Sequence, residues 1–225
     1  MLRAHSGVRE RAMPDYDRLR YEELASISEF LHGLADEQWD QESLCTGWQV
    51  RHVVSHMTLG YTTPFFTMVA KVGKHGFKVP KASAEESVEY GNAHTPAEIL
   101  ATFDTIPNDH VRKGISKLIP TKEALLDHVV HQQDMRRPLG MPRQVPEERL
   151  VAALDIAPDL GGFVKAKQRA AGLRFTATDV TWTHGDGPEV QGPGEALLLA
   201  LAGRPVALDD LAGDGLATLR GRVAA

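Results

Sequence analysis

Apolar residues recur at three- and four-residue steps through the first three quarters of this chain, and at alternating positions only after Gly172. The first period belongs to helices that bury one face, the second to strands. The sequence therefore predicts a mainly α protein, with a helical bundle over residues 1–171 and a small α/β unit over residues 172–225. At 225 residues, with 42% hydrophobic and 24% charged residues, the chain can bury a full core and is neither disordered nor fibrous.

Asp15 to Leu34 carries Leu19, Leu24, Ile27, Phe30, Leu31 and Leu34 at helical steps, with Glu22, Glu23 and Glu29 on the expected wet side. Thr46 is a candidate N-cap for a second helix from about Gly47 to Lys71, unless Pro64 kinks it. Gly73 to Ala93 is rich in Gly, Lys, Glu and Ser without a period and reads as a loop. Thr95-Pro96-Ala97-Glu98 opens a third helix, expected to about Leu118. Thr121 caps the next, which must stop near Pro138-Leu139-Gly140, and Pro146-Glu147-Glu148 opens another to about Ala171. Leu173 to Thr178 and Val180 to Thr183 read as strands before a Gly185-Asp186-Gly187-Pro188 turn. Glu195 to Ala202 reads as a short apolar helix ending at Gly203, and Gly213 to Val223 as a further strand or helix.

A formal charge of −5 supplies no electrostatic footprint for a nucleic-acid backbone, so no such partner is expected. No apolar run approaches the ~20 residues of a membrane span, and Met1 to Met13 lacks the apolar centre of a signal peptide. A soluble cytoplasmic protein without a membrane partner is the expectation. The single cysteine, Cys45, excludes an internal disulfide framework and a cysteine-rich zinc site. With no base assigned to it, Cys45 reads as a small buried residue and not as a nucleophile.

Asp127, His131 and Asp134 lie four and three residues apart and share one helix face. His52 and His56 lie four apart on the second helix, whose wet stripe is read as Arg51, Ser55 and Thr58, turning both imidazoles inward. Burying several imidazoles and carboxylates without a partner is costly, whereas one divalent cation satisfies them together. A histidine, carboxylate, histidine set with an open position is the donor set of a catalytic zinc site, and it also admits nickel or iron. Asp134 is expected to hold a ligand histidine's second nitrogen or to orient a substrate. His128, about 100° round the helix from Asp127, is not expected to be a ligand.

The Trp48-to-His56 segment, the acid four residues before His131, and Leu201-Ala202-Gly203-Arg204 followed by Leu211-Ala212-Gly213-Asp214 resemble the mycothiol-dependent maleylpyruvate isomerase family of the DinB-like superfamily. The resemblance covers nearly the whole chain. It implies a four-helix bundle that binds a divalent metal, usually zinc, closed by a small α/β domain. It implies His56 and His131 as metal ligands, with Asp127 in the place of the family's glutamate, a methylene shorter. Arg204 would be the family's functional C-terminal arginine, reaching the cavity mouth and holding a carboxylate by its fork of donors. His52 would line the site beside His56.

The expected chemistry is metal-assisted formation of a thiolate from mycothiol, followed by isomerisation of a maleylpyruvate-like substrate or by S-transfer to another electrophile. Two alternatives stand beside it: a metal-free DinB-like module that binds a small ligand, favoured by Asp127, and a stress-response interaction protein whose helices form a dimer surface. Either a monomer or a homodimer is compatible with the sequence.

Overall fold

The computed structural model describes residues 13–109, 112, 114–162 and 164–224. The stretch before Met13, read above as lacking a leader's apolar centre, lies outside the described residues. Among them the elements run α1 (Tyr16–His32), α2 (Val50–Thr62), α3 (Phe65–Lys74), α4 (Val79–Ala93), α5 (Pro96–Asp109), α6 (Thr121–Arg136), α7 (Glu147–Ile156), α8 (Ala166–Ala170), β1 (Arg174–Ala177), β2 (Thr183–His184), β3 (Glu189–Gly192), α9 (Gly194–Leu201) and α10 (Leu216–Val223). The mainly helical architecture with a small three-stranded sheet agrees with the sequence reading.

Helix α1 begins where Asp15 accepts a hydrogen bond from the Arg18 N–H, and it packs against α5 and α6. Helix α2 closes the bundle by packing against α5 and α6 on one side and α4 on another. Leu24, Ile27, Val50, Val53, Val54, Ile99 and Phe103 form one core cluster between these helices. A second cluster runs from Leu125 and Val129 of α6 through Leu154 of α7 to Phe175 and Leu197–Leu201, so the C-terminal unit shares a core with the bundle. Beyond Glu195 in its first turn, helix α9 is apolar on every side, as the burial of Ala196 to Leu201 between sheet and bundle requires. In the sheet, β1 occupies the centre, antiparallel to β2 and parallel to β3.

Several local expectations change. The second helix breaks at Pro64 into α2 and α3, because proline cannot donate to the preceding turn. Its N-cap position is Gln49 and not Thr46. The stretch read as a loop over 73–93 is mostly helix α4, which buries only the small residues Ala82, Ser87 and Gly91. With no large apolar residue to repeat, α4 carries no readable period. It covers the face of α2 read as wet: Ser55 and Thr58 are fully buried, and their hydroxyls donate back to the Arg51 and Val54 carbonyls. Glu23, also read as wet, is buried under Arg143 and Arg149. The expected helix from Pro146 to Ala171 is divided into α7, a 3-10 turn over Ala157–Asp159, and α8.

Candidate metal centre

Helix α6 starts after Pro120 and stops before Pro138, and its length sets three polar side chains at successive turns on one face. Asp127 and His131 meet there, with His131 Nε2 3.4 Å from Asp127 Oδ1. Helix α2 brings His56 to the same point, its ring edge-on to His131 at 5.1 Å between centroids. One donor atom from each of His56, Asp127 and His131 lies within 4.8 Å of the other two. Two ligands of a tetrahedral ion with metal–ligand bonds of 2.0–2.1 Å stand roughly 3.3 Å apart, so the Asp127–His131 separation is that of a pair able to share a cation. Asp127 keeps 44% of its side-chain accessibility and forms the open edge of the recess, while His131 keeps 12%.

Both imidazoles are held by the nitrogen turned away from this point. His56 Nδ1 lies 3.1 Å from the Ser83 hydroxyl of α4, and His131 Nδ1 lies 2.9 Å from Asp134 Oδ2. A histidine that donates from Nδ1 presents a bare Nε2; the Asp134 carboxylate, which can only accept, requires that donation of His131, and the Ser83 hydroxyl is able to accept it from His56. The donor set, its spacing and this outer support all fit a divalent ion of the zinc type.

The charges follow the same pattern. Burial draws the His56 pKa down to about 4, against the opposing pull of Asp127, leaving the ring neutral at pH 7. Burial also acts to lower His131, but the charge and hydrogen bond of Asp127 and the contact with Asp134 carry it well above the ordinary histidine value. Asp127 and Asp134 would both be raised by burial, yet His131 holds both carboxyls well below the usual range, joined at Asp134 by Arg204. Without a cation, His131 is an imidazolium between two carboxylates.

Asp134 is fully buried and accepts from more than His131. Arg204 donates to it through Nε at 2.9 Å and Nη2 at 2.6 Å, and Cys45 donates its S–H to the same Oδ2 at 3.1 Å. Gly203 makes this reach possible: its φ of +89 turns the chain at the end of α9, and a Cβ there would meet the Arg169 guanidinium at 2.7 Å. Arg204 therefore does cross to the bundle, but its fork is taken by Asp134. A buried carboxylate demands a charged partner, and the expected free fork for a carboxylate ligand is not how the arginine rests.

Not every expected residue joins the centre. His52 is buried at the start of α2, where its Nδ1 accepts the Gln49 N–H at 3.1 Å and its Nε2 lies 3.0 Å from Asn92 Oδ1. It caps a helix and abuts α4 instead of lining the recess, because four residues on an α-helix advance 400°, enough to change neighbours at a helix end. His128 points away, buried against the Tyr61 ring. Ser83 and Cys45 were not foreseen as contributors. Ser83 sits in the helix read as loop, and Cys45 contacts a residue 89 positions later, a pairing no local pattern reveals.

Residues 21–112 match the family model described as the mycothiol maleylpyruvate isomerase N-terminal domain, which bears out the family resemblance over that stretch. A crystal structure of the mycothiol-dependent maleylpyruvate isomerase superposes with a TM-score of 0.59 at 16% identity, covering 90% of this chain and 93% of that one. A mutant of the same enzyme superposes with a TM-score of 0.57 at 16% identity and the same coverage. At that identity the likeness is one of fold. No curated protein matches the sequence.

Proposed function

We propose that this chain, which carries the mycothiol maleylpyruvate isomerase N-terminal domain over residues 21–112, is a metal-dependent enzyme that activates a low-molecular-weight thiol, mycothiol, against a small electrophile. The observation that carries the proposal is the convergence of His56, Asp127 and His131, with Ser83 and Asp134 holding the far nitrogens of the two histidines. No helix among the described residues is long and apolar enough to cross a membrane, and we assign the enzyme to the cytoplasm.

His56, Asp127 and His131 would hold the ion. A bound zinc-like ion supplies Lewis acidity that keeps a coordinating thiol in its thiolate form at neutral pH. The protein's own residues then have two tasks. Ser83 and Asp134 fix the two imidazoles, so that the ligand nitrogens need no reorganisation. Arg204, one-fifth exposed, fixes buried Asp134 behind His131, and a substrate carboxylate or enolate would reach its guanidinium only by sharing it with Asp134. Trp48, whose ring lies 5.5 Å from that of His56, adds an apolar wall.

With a maleylpyruvate-like substrate, the thiolate would add to the conjugated double bond, the new single bond would rotate, and elimination would return the thiolate with the trans product. With a haloalkane or epoxide electrophile, the thiolate would instead form its carbon–sulfur bond as halide departs or as the ring C–O bond opens, and the reaction would end in S-transfer. The test is elemental analysis of purified protein together with mycothiol-dependent turnover of maleylpyruvate. One equivalent of metal and thiol-dependent trans product, both lost in His56→Ala, are expected. Metal-free protein that neither gains zinc on titration nor turns over would overturn the proposal.

A further inference from the structure

Helix α3 leaves much of its apolar surface outside. Met68, Lys71, Val72 and Gly73 are its half-buried residues, and Lys71 pairs inward with Glu86 of α4, whereas Phe65, Phe66, Val69 and Ala70 face solvent. Phe66 is 85% exposed. A helix resting on a soluble protein turns its apolar residues inward, and this one buries none completely.

The apolar surface continues past the helix. Phe77 is 80% exposed at a corner where its own φ is +62, in the left-handed region that bulky side chains rarely adopt. Among the described residues the ring is left largely open to solvent, so this strained corner adds apolar surface to that of α3. Leu118 adds further exposed apolar surface beside Gly114–Lys117, a 3-10 turn that packs on α3. Exposed apolar residues concentrated in this way mark a contact surface.

Charge indicates what the surface meets. The chain has a formal charge of −5, yet Phe65 to Lys81 contains Lys71, Lys74, Lys78 and Lys81 and no Asp or Glu. The nearest acids of α4 are already paired, Glu86 with Lys71 and Glu85 with His75 and Lys81. No ion pair among the described residues engages Lys74, Lys78 or Lys117, all exposed. Aromatic rings bordered by unpaired lysines match the interface of an anionic bilayer, where rings enter the headgroup region and ammonium groups meet lipid phosphates.

We propose that α3 and the His75–Val79 corner dock the protein peripherally on an anionic lipid surface. The contact revises the sequence expectation of no membrane partner, and it needs no membrane-crossing helix. It is independent of the metal chemistry, because no residue of the patch belongs to the recess.

The test is co-sedimentation of the full chain with vesicles of phosphatidylcholine alone and of phosphatidylcholine mixed with phosphatidylglycerol. Binding about tenfold stronger to the anionic vesicles, weakening as salt is raised, is expected. Phe66→Ser with Phe77→Ser should abolish binding, and Lys74→Glu with Lys78→Glu should remove the preference for anionic lipid. Both variants change exposed side chains, and unchanged circular dichroism and metal content will verify their fold. Failure to bind anionic vesicles at low salt, or equal binding by the Phe66→Ser/Phe77→Ser variant, would overturn the proposal. So would a concentration-dependent dimer that the same substitutions dissolve, which would assign the face to a second copy of the chain.

Discussion

Arg204 and Asp134, seventy residues apart in sequence, form a two-pronged ion pair at 2.9 and 2.6 Å. The carboxylate also holds His131, so the pair ties the end of α9 to the candidate metal centre. Removing one partner of a buried pair leaves the other charge uncompensated, at about 3 kcal/mol. Arg204→Ala should lower urea stability by about that amount, whereas Arg204→Met with Asp134→Asn should lose less than the two single changes summed. Additive losses would show that the pair is energetically inert.

Ser83 is expected to act on the metal without touching it. Ser83→Ala frees His56 to adopt the other tautomer, and affinity should fall about 10–100-fold in chelator competition. Ser83→Thr keeps the hydroxyl and should restore most of that affinity. Undiminished zinc affinity in Ser83→Ala would show that the contact is incidental.

Much of the centre was readable because Asp127, His131 and Asp134 follow helix periodicity, which is local. Asp134 was expected to hold a histidine's second nitrogen, and it lies 2.9 Å from His131 Nδ1. His52 misled because periodicity gives a face but not the identity of what covers it. Helix α4 carries no hydrophobic period because small residues let it approach α2 closely: a Cβ on Gly91 would stand 2.7 Å from His52 Cδ2. Such packing depends on the absence of bulk, and a hydrophobic pattern records only its presence. The contacts of Cys45 and the fork of Arg204 arise from tertiary pairing and have no sequence period.

His52→Ala separates the capping role from a ligand role. The variant loses the acceptor for the Gln49 N–H and should be destabilised by about 1 kcal/mol while keeping stoichiometric metal. His56→Ala should lose the metal instead. Equal metal loss in both, measured by elemental analysis, would place His52 in the coordination shell.

Metal binding should release a proton. His56 is neutral at pH 7, with its pKa lowered to about 4, whereas His131 is held protonated by Asp127 and Asp134. A cation competes with the proton on His131 Nε2, so below the raised pKa of His131 the apparent affinity should climb about tenfold per pH unit. Calorimetric zinc titrations in buffers of different ionisation enthalpy should report close to one proton released at pH 7. Zero release would show that His131 is neutral before the metal arrives.

Acid should unfold the metal-free protein earlier than its carboxylates alone dictate. Burial lowers the His128 pKa from 6.5 to about 4, so the unfolded chain takes up a proton that the folded one refuses. The stability this group contributes is complete above pH 6.5 and is lost as pH falls from 6.5 toward 4, by about 3 kcal/mol at one pKa unit per 1.36 kcal/mol. His56 acts in the same direction over the same window. His131 has the opposite sign: its raised pKa adds stability that is complete below pH 6.5 and is lost only as pH rises above it, so it does not mask the acid limb. The depressed Asp127 and Asp134 add their losses below their unfolded value of 3.8. Urea denaturation of the metal-free protein at intervals from pH 7.5 to pH 4 should therefore show a falling limb that His128→Gln makes shallower by about one proton's slope. An unchanged slope in that variant would mean that His128 titrates in the folded protein as it does in the unfolded chain.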